Sequence, residues 1–104
     1  MLVKYIVEFI GTFIFLSVII NTGLLKVWGF GALSVGLALM TAIYFGGRVS
    51  GGMFNPAVST MFLLKGDLNG TDYIGYVIAQ ILGGIAALYF YKYVNIEIPN
   101  INKD

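Results

Sequence analysis

The sequence predicts an all-α membrane protein built from three transmembrane helices and one re-entrant half-helix. Three observations carry this. Of the 104 residues, 59% are hydrophobic and only 11% charged, with a mean hydropathy of +0.89. A soluble domain has roughly a quarter of its residues charged, so a soluble monomer is excluded, and disorder with it. Three apolar stretches reach the about 20 residues needed to cross a bilayer. Between the second and third lies a glycine-rich break, then an Asn-Pro pair and an apolar run too short to span.

The first span covers residues 3–25. It has a lone Lys4 at its start, as a signal peptide would, but it is too long for a secretory signal and lacks a small-residue cleavage site, so it reads as a helix that stays. The second covers residues 27–45. Residues 46–52, Gly-Gly-Arg-Val-Ser-Gly-Gly, should break it. A helix over residues 56–65 would reach about 15 Å at 1.5 Å per residue, half the hydrocarbon thickness. It is either a surface loop with an apolar stretch or, the sharper reading, a half-helix that dips to mid-membrane and returns. Residues 65–72 form a polar turn. The third span covers residues 73–94, and residues 95–104 form a polar tail expected as loop. Small residues recur every fourth position at Gly75, Ala79, Gly83 and Ala87, and at Ala38, Ala42 and Gly46. Such ladders let helix backbones approach closely in lipid.

Composition also limits the chemistry. There is no Cys and no His, so no thiolate metal site, no disulfide and no imidazole base. A net charge of +1 supplies no nucleic-acid surface. No enzyme activity, cofactor or metal is expected. The informative segment is Asn55-Pro56-Ala57. Pro at the first helical position loses no hydrogen bond, and Asn before it caps the helix. A helix N-terminus carries about half a positive charge and free N–H donors. At mid-bilayer such backbone must be buried in protein or line a watery cavity, which marks a permeation or binding site for water or a small neutral solute.

The segment from Ser50 to Val58, Ser-Gly-Gly-Met-Phe-Asn-Pro-Ala-Val, resembles the first signature loop of the major intrinsic proteins, the aquaporins and glycerol facilitators. Glu8 to Phe13 resembles the first-helix motif of that family, and Tyr76 to Gly84 its third helix. The resemblance implies six membrane helices and two half-helices in two inverted repeats, of which this chain corresponds to the first. It implies that Asn55, Pro56, Ala57, Val58, Gly52 and Met53 face the pore, and that Glu8 and Gln80 brace the signature loop. Departures from the pattern fall at Arg48 and Met53, where His is frequent, and at Val35, which aligns with an aromatic of water-specific members. Arg48 would stand at the pore mouth, or satisfy loop carbonyls or lipid phosphates. These departures bear on the narrow aromatic–arginine filter and leave the half-helix untouched.

Glu8 lies inside the first span, where a carboxylate is costly and marks function. Backbone N–H groups of residues 46–54 are its expected partners; a proton relay and a side chain reaching the interface are the alternatives. Lys65 and Lys92 read as interfacial anchors. One half-helix leaves half the membrane uncovered, so an inverted second copy should complete the path, giving an antiparallel dimer or higher oligomer. Lys4, Arg48 and Lys65 flank one side; Lys26, Lys92 and Lys103 flank the other. That balance supplies no orientation signal and suits dual topology. The alternatives are a non-conducting subunit or one pairing with a second half-channel chain, and, more remotely, a small multidrug exporter. Residues 95–104 could equally begin a connecting loop.

Overall fold

A computed structural model describes residues 1–23 and 30–97. Four helices follow in order: α1 (Leu2–Thr22), α2 (Phe30–Ser50), α3 (Pro56–Lys65) and α4 (Gly70–Glu97). α1, α2 and α4 each contain a stretch long and apolar enough to cross a membrane: Leu2–Thr22, Gly31–Ser50 and Gly70–Val94. α3, at ten residues, is about 15 Å long and cannot cross.

The boundaries differ from the sequence reading in instructive ways. α1 stops at Thr22 because Gly23 adopts a left-handed conformation, φ 56°; residues 24 and 25 lie outside the described residues. The expected break at residue 46 is absent, and α2 continues through Gly46 and Gly47 to Ser50. Gly46 is there for packing. A Cβ at that position would lie 2.4 Å from Cγ1 of Val7 on α1. The chain turns only at Gly51 and Gly52, both with positive φ. α4 starts three residues earlier than read, because Asn69 caps it through an Asp72 N–H to Asn69 Oδ1 bond of 2.8 Å. It also runs through residues 95–97, read as tail; residues 98–104 lie outside the described residues.

α1 and α4 run parallel, since their contacts climb both helices together. Lys4 pairs with Asp72 at 2.6 Å, the rings of Tyr5 and Tyr76 meet edge-on at 6.0 Å, Glu8 meets Gln80, and the rings of Phe13 and Phe90 stand 5.9 Å apart. The small-residue ladder makes this crossing close. A Cβ on Gly83 would fall 2.8 Å from the backbone oxygen of Phe9, and one on Gly75 2.5 Å from the Tyr5 ring. α2 is antiparallel to α1, because Ser50 at its end reaches Glu8 near the start of α1.

The interior and exterior are inverted relative to a soluble protein. Glu8, Thr12, Ser50, Ser59 and Gln80 are buried, while Leu37, Met40, Tyr44, Phe45, Leu64 and Tyr93 are exposed. Large apolar side chains facing outward and small or polar ones facing inward are what a lipid solvent selects. The protein is an integral, multi-pass membrane protein.

Candidate functional site

After Ser50 the chain bends back towards the centre of the bundle and hangs on one side chain. Both oxygens of Glu8, which is fully buried, act only as acceptors. Oε2 accepts from Ser50 Oγ at 2.7 Å and Met53 N at 3.1 Å; Oε1 accepts from Phe54 N and Gln80 Nε2, each at 2.8 Å. The same Gln80 nitrogen donates to Ser59 Oγ on α3 at 2.8 Å. Tyr76 OH donates to Ser50 O at 2.5 Å, and Gly52 N to Ser50 Oγ at 3.2 Å. One buried network therefore ties the start of α1, the 50–54 turn, the first turn of α3 and the middle of α4. In an apolar interior a polar group without a partner is expensive, so the four donors gathered on the Glu8 carboxylate hold the turn in one conformation. Thr12 Oγ1 and Gln80 Oε1 are buried without a partner among the described residues.

The network places the start of α3 at a definite depth. Gln80 lies ten residues into α4, about 15 Å from its N-terminus. α3 runs antiparallel to α4, from the level of Gln80 back to the Gly66–Asn69 turn; Thr60 and Tyr73 join their hydroxyls at 2.9 Å on the way. Asn55 stands one helical turn deeper than Ser59, near the middle of the span. Its Oδ1 accepts from Ala57 N at 2.8 Å, its φ of −161° is extended, and Pro56 occupies the first helical position. Pro has no N–H, Ala57 N is capped and Ser59 N bonds to Asn55 O at 3.0 Å. The Val58 N–H and Asn55 Nδ2 are left without a partner among the described residues. Asn55, Pro56 and Ala57 are exposed on the lone chain; Val58 is half-buried. Beside them runs a groove of about 440 Å³, lined at this end by Thr12, Phe54, Asn55, Pro56 and Gln80, with Leu16, Ile85 and Leu88 beyond.

Glu8, Gln80, Gly52, Met53 and Asn55–Val58 thus fall in one region. Gly52 carries a φ of 65°, and Met53 gives its N–H to Glu8. Arg48 is apart from them: it is exposed on the last turn of α2, where its charge suits the negative end of the helix, and it forms no ion pair among the described residues. Val35 is half-buried, five residues into α2, and does not line the groove. Lys65 pairs with Asp67, and Lys92 lies 5.4 Å above the Tyr89 ring.

The N–H groups of Met53 and Phe54 are among the partners expected for Glu8, whereas sequence reasoning missed the side chains of Ser50, Ser59 and Tyr76 as members of this network. Tyr76 was detectable, since it precedes Gln80 by four residues and so shares its helix face. Ser50 and Ser59 carried no signal beyond being small and polar. Lys4, read as a flanking charge, instead joins Tyr5 OH and Asn69 Nδ2 on the Asp72 carboxylate, tying the ends of α1 and α4 together.

The sequence pattern of the family described as Major intrinsic protein matches residues 1–102. The Glycerol uptake facilitator protein-like 6 of Lactiplantibacillus plantarum is 45% identical over 89 residues, covering 81% of this chain and 40% of that protein. The Aquaporin Z of Brucella melitensis is 50% identical over 56 residues, covering 54% of this chain and 25% of that protein. The Aquaporin Z of Photorhabdus laumondii is 43% identical over 56 residues, covering 54% and 24% respectively. The chain spans less than half the length of these relatives. No solved structure matches.

Proposed function

The chain belongs to the major intrinsic protein family, and on that premise we propose that it is a passive channel for water or small neutral solutes such as glycerol, its pore formed by an inverted pair of chains. The observation that carries the proposal is the helix start at Asn55. It lies near the middle of the flanking spans, beside an open groove, with an exposed side-chain amide and a Val58 N–H that has no partner among the described residues. Left against lipid, those groups would cost several kcal/mol each. A watery path satisfies them, and a solute oxygen is the acceptor they suit. Asn55 donates to that oxygen. The positive end of α3 disfavours cations and protons at the same point, and Glu8 and Gln80 brace the turn. Nothing in this scheme makes or breaks a covalent bond, and it needs no cofactor.

The inverted partner follows from depth. α3 covers the half of the membrane on the side where α1 begins, and α1 and α4 continue beyond Asn55 with the groove open between them. A second copy turned over would place its own α3 in the uncovered half and bring the two helix starts together. The similarity of the chain to 40% of a glycerol facilitator-like protein is in keeping with a half-channel unit.

Osmotic shrinkage of vesicles reconstituted with the purified chain tests this. Faster water or glycerol exchange than in empty vesicles supports it. Exchange that appears only when a second half-channel chain is added would replace the inverted homodimer with a heteromeric pore.

A further inference from the structure

Phe54 is held from more directions than any packing residue requires. It is the one described non-glycine residue with a left-handed backbone, φ 52°, a region that side-chain-bearing residues rarely enter. Its N–H is fixed on Glu8 Oε1 at 2.8 Å, and its side chain is 1% exposed. The ring fills a notch that Gly11 leaves open, with Gly46 in ordinary contact beside it. A Cβ on Gly11 would lie 2.1 Å from the ring Cε1, and one on Gly46 3.5 Å from Cζ. The ring also lines two spaces at once: the groove beside Asn55 and a separate apolar cavity of about 170 Å³ between α1 and α2. Asn55 is the next residue, its Cα about 3.8 Å further along the chain, so it stands where Phe54 puts it.

We propose that Phe54 is a positioning residue that sets solute specificity: its ring, seated between Gly11 and Gly46, fixes where the Asn55 amide stands and walls off the groove from the α1–α2 cavity. This rests on the reading of Asn55 as the solute contact. A shorter apolar side chain opens the wall and lets Asn55 settle back, which favours a polyol over water. A methyl group on Gly11 pushes the ring towards the groove and does the opposite.

The test uses the full chain in vesicles, with water and glycerol permeabilities and the melting temperature measured for wild type, Phe54→Leu, Gly11→Ala and the double variant. Phe54→Leu should raise the glycerol-to-water ratio by about tenfold, the factor equivalent to 1.4 kcal/mol. Gly11→Ala should lower the ratio, and the double variant should return it towards wild type. A Phe54→Leu protein that melts lower but keeps the wild-type ratio overturns the proposal, because a residue that only packs would do just that. If Gly11→Ala does not fold, Phe54→Leu alone decides. The chain has no Cys, so Ala57→Cys supplies a single reporter independent of transport. Adding Phe54→Leu should change the rate at which a water-soluble thiol reagent labels it by about tenfold. An unchanged labelling rate overturns the positioning role even if no solute is conducted, whereas absent transport with a changed rate removes only the channel reading.

Discussion

Replacing Glu8 by Ala should unfold the turn that carries Asn55, and replacing it by Gln should not. The carboxylate accepts four hydrogen bonds, and three of the donors are fixed: the N–H groups of Met53 and Phe54, and the Gln80 amide. The fourth, the Ser50 hydroxyl, can rotate, and Gly46 O lies 3.4 Å away as another acceptor. Each buried donor left without an acceptor costs about 1–3 kcal/mol, so Ala loses on the order of 3–9 kcal/mol. That approaches the entire stability of a typical domain, about 5–15 kcal/mol. Gln at the same place keeps one oxygen. With that oxygen towards Phe54 N and Gln80, its own nitrogen faces Ser50 Oγ, which can turn and accept, while its second hydrogen and the half-buried Met53 N–H are left without acceptors. The expected loss is then about 2–6 kcal/mol, two donors against three. Far-UV circular dichroism during denaturant titration in detergent reads both. Equal midpoints for the Ala and Gln variants would refute the reasoning, because they would show that the acceptors of Glu8 do not hold the turn.

Asn55→Ala and Asn69→Ala each remove a helix cap, so both should lose about 0.5–2 kcal/mol in the same titration. Only Asn55→Ala should alter solute permeability, and a matching permeability change in Asn69→Ala would contradict the site. Gly83→Ala should destabilise by about 1–3 kcal/mol, because its Cβ meets the α1 backbone at 2.8 Å. Gly36→Ala, with nothing within 4 Å, should be neutral or gain about 0.5–1 kcal/mol from helix propensity; melting temperatures in detergent compare the two. Reconstituted vesicles should show no proton flux comparable to solute flux, measured with an internal pH dye, since the proposed path runs past the positive end of α3.

Much of the fold is legible because the bilayer imposes simple rules on the sequence. Length and hydropathy mark the three spans, and Pro56 and Lys65 bracket α3 to the residue. The helix runs through Gly46 and Gly47, against the expectation, because glycine serves two purposes, breaking helices and letting them touch, and local sequence does not say which. At Gly46 it is Val7, 39 residues away, that decides it. The same limit applies to the site. Asn55-Pro56 announces itself through local helix-start chemistry. Ser50, Ser59 and Tyr76 matter because of what folding brings beside them, and Phe54 because Gly11, 43 residues earlier, leaves room for its ring.

The pairing of inverted chains is tested most directly by the osmotic permeability of membranes carrying two variants of fixed orientation. Two extra Lys residues beside Lys92 should hold the C-terminal end in the cytoplasm, and two beside Lys4 should hold the opposite orientation. Each variant alone should leave the membrane as impermeable as one without the protein, and the two together should restore the permeability of the unmodified chain. Full permeability from either variant alone would contradict the inverted pair.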